Sequence, residues 1–165
     1  MYHLHCTKKL LDRVKPEISP TGKADTRLGN WYATVKFWKP QVALLVSERS
    51  LLPLLMPLAP AATLAARFPG HLAKLLEAHG IAADFIAREI SRMVEMRYAK
   101  TANRSVVGML TEFSRCIDFK AEARRYGPDD DILLELSLEL ARVPCGPLYA
   151  GPILPERALR ELAMS

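Results

Sequence analysis

The chain has 165 residues and a mass of 18.4 kDa; half of its residues are hydrophobic and a quarter are charged. That is ordinary globular composition, with enough chain to bury a core without disulfides or metals, so wholesale disorder, collagen and coiled coil are excluded. The net charge of +5 is unevenly spread: residues 1–127 carry +9 and residues 128–165 carry −4, a basic body with an acidic helical tail.

The N-terminus alternates. Tyr2, Leu4 and Cys6 share one face and His3 and His5 the other, which predicts a short strand. Thr7 is placed to cap a short helix over Lys8–Val14, with Leu10, Leu11 and Val14 turned inward. Residues 16–25 hold two prolines and a glycine and few large apolar side chains, so a mobile loop is expected there. Residues 31–38 read WYATVKFW, a half-buried strand. Lys39-Pro40 then makes a turn into a second β-branched run, Gln41–Val46, and the two form an antiparallel hairpin. Ser50–Met56 fits either a further strand, held to an edge by its proline, or a short helix.

From Ala61 the period becomes helical. Ala61–Phe68 reads as one helix ended by Pro69-Gly70, and His71–His79 as a second ended by Gly80. Ala82–Tyr98 reads as a longer helix with Phe85, Ile86, Ile90, Met93 and Arg97 along one stripe. Asn103 or Ser105 caps the next, whose buried stripe is Val106, Val107, Leu110, Phe113, Ile117 and Ala121; Gly127-Pro128 ends that section. Asp129–Asp131 opens a helix with Ile132, Leu133, Leu136 and Leu140 inward. A Pro/Gly loop over residues 143–152 precedes a terminal helix that starts at Pro155 and runs to about Ala163. Strands followed by helices predict a single α+β domain: a small, mostly antiparallel sheet, made of the N-terminal strand and the hairpin 31–46, covered by a C-terminal helical layer.

The stretches HCTKKLL, LGNWYATV, LLVSERSLLPLLMPLAP and AKTANRSVVGML resemble an uncharacterised bacterial family, a domain of unknown function. The resemblance covers most of residues 1–120. It implies a bacterial protein, sometimes tied to plasmid or mobile-element genes, with a regulatory or defence role. It supplies no catalytic residue.

Three groups of residues are candidates for function. Lys100, Thr101, Asn103, Arg104 and Ser105 stand at a helix start, where free N–H groups, the helix dipole and flanking cations suit an anion such as phosphate. Plain capping by Asn103 explains the same residues, and the glycine pattern of a P-loop is missing. His3, His5, Cys6, Thr7 and Lys8 form the second group. Histidines at i, i+2 share a strand face and suit a transition metal, but no zinc spacing completes the set, so no metal site is expected. Cys6 beside Thr7, Lys8 and Lys9 suits an activated thiolate, whereas its alternation with Tyr2 and Leu4 suits an inert core cysteine. The third group is Tyr32, Lys36 and Trp38, an aromatic–lysine surface able to stack on bases or mark a protein interface.

No nucleophile elbow, dinucleotide fingerprint or EF-hand pattern appears. Three widely spaced cysteines and an N-terminus without an apolar core point to a reducing, cytoplasmic setting. The expectation is a small binding or regulatory protein rather than an enzyme, without cofactor or membrane span. Its partner is a nucleic acid or a protein, a homodimer included. The alternative is an enzyme acting on a phosphorylated or nucleotide substrate held at Asn103-Arg104-Ser105. That reading requires His5 or Cys6 to share a concavity with the helix start.

Overall fold

The computed structural model describes residues 1–119 and 129–165; Ala121, the Arg124-Arg125 pair and Gly127-Pro128 lie outside them. Five strands, β1 (Tyr2–Cys6), β2 (Trp31–Lys36), β3 (Val42–Ser47), β4 (Pro53–Pro57) and β5 (Met96–Lys100), form one sheet in the order β4-β3-β2-β1-β5. The helices are α1 (Lys8–Val14), α2 (Leu64–Ala78), α3 (Ala83–Ser91), α4 (Arg104–Asp118), α5 (Asp130–Leu140) and α6 (Pro155–Met164).

The hairpin forms as expected, with Trp31 opposite Ser47 and Lys36 opposite Val42. β4 adds to it antiparallel at the sheet edge, where its prolines leave no inner ladder bond unmade. The sheet is nevertheless mixed rather than mostly antiparallel. β1 runs parallel to β2 on one side and to β5 on the other. β5 is the reason for the difference, since Ala82–Tyr98 is not one helix. α3 stops at Ser91, and Met96–Lys100 pairs with all five residues of β1. A full row of ladder bonds to a buried strand outweighs the helical stripe, which Met93 and Arg97 had extended by coincidence of spacing.

The residues on either side of Pro69 form one helix, not two. Leu64, Phe68, Leu72, Leu75 and Leu76 are all buried on a face that continues through the proline. Burying such side chains is worth about 1.5–3 kcal/mol each, against about 3 kcal/mol for a helical proline. α2 ends at Gly80, whose φ of 75° lets its N–H reach the Glu77 carbonyl and that of Ile81 the Leu76 carbonyl.

Alternation along the strands divides the core in two. Trp31, Ala33 and Val35 of β2 pack with Tyr2, Leu4 and Cys6 of β1 and with α1, α2 and α3. Tyr32 of β2 packs with Val42, Leu44 and Val46 of β3 and with α4 and α5. No helix among the described residues is long and apolar enough to cross a membrane.

Candidate functional site

β1 is the point at which the chain changes direction across the sheet. The chain leaves β1 through α1 toward β2, returns on β1's other side as β5, and leaves again through α4. α1 contributes Leu10 to one buried cluster and α4 contributes Val106 to the other. The carboxyl ends of β1 and β5 therefore open between helices bound for opposite faces, the place where open sheets with parallel strands take their ligands. The pairing sets Cys6 beside Lys100, so the groups at residues 3–8 and 100–105, remote in sequence, meet at this end.

His5 holds the meeting point together. Its Nδ1 donates to the Lys100 carbonyl at 2.6 Å, and its Nε2 lies 3.1 Å from the Thr21 hydroxyl. Register places Tyr32 opposite His5, and the two rings stack at 4.5 Å, 10° from parallel. The Tyr32 hydroxyl in turn accepts from the Asn103 N–H at 2.9 Å. The histidine face of β1, read as the strand's polar side, is buried: His3 is 3% and His5 1% exposed. The segment after α1 covers it. Gly22 permits the close approach, because a Cβ there would stand 3.2 Å from the His3 ring, and Asn30 ties the cover down by donating to the Gly22 carbonyl and accepting from the His3 N–H. His3 Nδ1 has no hydrogen-bond partner among the described residues. Among the described residues, no group of three or more His, Cys, Asp or Glu side chains is placed to hold a metal ion.

Cys6 is buried, and burial pushes its thiol up to about 12. It donates weakly to the Leu4 carbonyl at 3.6 Å. A protonated, buried thiol is not a nucleophile. Thr7 gives α1 no side-chain cap; its hydroxyl instead meets that of Thr34 at 2.9 Å, joining the ends of β1 and β2.

A groove of about 530 Å³ opens at this end, with Cys6, Lys8, Asp12, Lys15, Lys100 and Thr101 in its walls. Lys8, Lys15 and Lys100 are exposed, and none forms an ion pair among the described residues. Lys15 was not singled out from sequence. It stands just past α1 in the left-handed conformation, φ 53° and ψ 53°, where glycine is the usual residue. Asn103, Arg104 and Ser105 do not line the groove. Asn103 Oδ1 caps α4, accepting from the N–H groups of Ser105 and Val106 at 2.9 and 3.3 Å.

The aromatic–lysine surface is not where the strand pattern placed it. Tyr32 and Trp38 are 2% and 8% exposed, because α4 and α5 cover the face left open to solvent in a two-layer reading. Lys36 pairs with Asp118 at 2.7 Å. Phe37 is the exposed aromatic of that segment.

The family model described as Domain of unknown function (DUF6933) matches residues 3–158. The chain belongs to that family. The match includes every residue that lines the groove, from Cys6 to Thr101. No curated protein and no solved structure matches the chain.

Proposed function

We propose that this member of the family is a binding protein for a small phosphate-bearing anion, held at the carboxyl ends of β1 and β5 by Lys8, Lys15 and Lys100. The observation that carries the reading is the convergence of three lysines, unpaired among the described residues, on one groove at the sheet's switch point. Three such charges against the single carboxylate of Asp12 repel one another until an anion enters. The enzyme alternative required His5 or Cys6 to share a concavity with the helix start; Cys6 lines the groove with Lys100 and Thr101, whereas His5, Asn103, Arg104 and Ser105 do not. Binding is preferred to catalysis because both ring nitrogens of His5 are engaged and the Cys6 thiol is held protonated. A nucleic acid is the second choice. Its cationic edge is present, but Tyr32 and Trp38 are buried and leave only Phe37 of that segment for stacking. The cytoplasmic, bacterial and plasmid-linked setting belongs to the same proposal and rests on the three free cysteines and the quoted stretches.

Calorimetric titration with inorganic pyrophosphate tests it. Saturable binding is expected that weakens with added salt and falls at least about tenfold in the Lys8→Gln/Lys100→Gln variant. No saturable uptake, or equal affinity in that variant, sinks the reading. Tighter retention of a single-stranded oligonucleotide than of pyrophosphate moves it to the nucleic-acid alternative.

A further inference from the structure

We infer that the ligand is a mononucleotide, its phosphates in the lysine groove and its base in a second lobe on the far side of Lys8; the inference rests on the anion-binding reading. A depression of about 390 Å³ lies there, and Lys8 borders both spaces. Leu11, Pro16 and Ile18 line part of the first groove; the second is distinguished by its threonines and by side chains of α4. Val107 and Leu110 on α4 make an apolar floor, while Thr7, Thr34 and Thr111 bring hydroxyls to its side. Of its cations, Lys36 is neutralised by Asp118 and also reaches the Ser114 carbonyl. Lys8 and Lys9 stand together at the start of α1; Lys8 borders both spaces and Lys9 the second alone.

The two spaces thus offer different partners. One gathers Lys8, Lys15 and Lys100; the other presents an apolar surface edged by threonine hydroxyls, with Lys8 and Lys9 at its margin. A flat heteroaromatic ring matches the second, with its faces on the valine and leucine side chains and its polar rim toward the threonines. A bare polyphosphate leaves that floor wet, and an acyl chain makes no use of the acceptor capacity that Thr7 and Thr34, bonded to each other, and Thr111, bonded to the Val107 carbonyl, still offer. A nucleotide satisfies both lobes at once, with the sugar passing Lys8.

Titrations with pyrophosphate, ADP and adenosine separate the two claims. ADP is expected to bind at least about tenfold more tightly than pyrophosphate, the gain from burying one ring. Thr111→Trp, at an exposed position, fills the second lobe. It is expected to bring ADP down to the pyrophosphate level while leaving pyrophosphate unchanged. Methyl NMR shifts of Val107 and Leu110 in the unaltered protein give a second reading: they are expected to move with ADP and adenosine but not with pyrophosphate. ADP binding no tighter than pyrophosphate, or methyl groups that ADP does not move, overturns the nucleotide assignment and leaves the anion groove standing. Absence of binding by both ADP and pyrophosphate overturns both.

Discussion

Lys15 stands where its backbone prefers another residue. A side chain in the left-handed region costs roughly 1–2 kcal/mol relative to the right-handed one, and glycine avoids that cost at the expense of a looser unfolded chain. The lysine side chain meanwhile lines the groove. Stability and binding therefore make opposite demands on this position. Lys15→Gly is expected to raise unfolding stability by about 0.5–1 kcal/mol in urea melts. The same variant is expected to weaken pyrophosphate binding about fivefold, the effect of one partly screened charge. A variant that gains stability and keeps its affinity removes Lys15 from the site.

At the scale of elements, α4 separates capping from binding. Asn103 closes the helix through two backbone N–H groups, and its side chain is absent from the groove walls. Asn103→Ala is expected to cost about 1 kcal/mol of stability, the ordinary loss of a cap, with the pyrophosphate affinity unchanged within about twofold. A tenfold loss of affinity instead places the anion at the helix start. The cap itself was legible in the sequence because capping is local: Asn103 is followed directly by its stripe of Val106, Leu110, Phe113 and Ile117. The strands at Tyr2–Cys6 and Trp31–Lys36 were legible for the same reason, since alternation is written into neighbouring residues. β5 was not. Met96–Lys100 owes its conformation to pairing with β1, more than ninety residues earlier, and nothing within the segment announces it. The site inherits that limit. Lys8 and Lys100 were each chosen for local reasons, but only the parallel pairing of β1 with β5 brings them to one groove, and only the backbone turn after α1 adds Lys15. Tyr32 shows the converse error. Its strand face was identified, yet burial of that face depends on α4, which begins some seventy residues later.

Across the whole molecule, buried titratable groups set limits at both ends of the pH scale. Burial lowers the affinity of His71 and His79 for a proton in the folded chain, with Asp130 and Glu156 respectively working against that shift and nearby cations adding to it. The unfolded chain binds those protons first, near the ordinary value of 6.5, so stability is intact above it and falls as the pH drops below. Cys6, Tyr98 and Cys145 are each raised to about 12, chiefly by burial, and Tyr2 is raised further. There the unfolded chain loses its protons first. Stability is full below the thiols' ordinary value of 9.0 and declines as the pH rises toward 12. Urea melts across the pH range are expected to show a plateau between these limits, with a shoulder on each side. His79 tests the acid shoulder most directly, because it is 8% exposed and its Nε2 has no hydrogen-bond partner among the described residues. His79→Leu removes both the unpaired nitrogen and the proton. The variant is expected to be no less stable at pH 7.5, and to lose less stability than the parent between about pH 6.5 and 5. An acid limb of the same depth in both proteins assigns it to the carboxylates instead, beginning with Asp25, whose carboxyl is held below its ordinary value by the N-terminal ammonium at 2.6 Å.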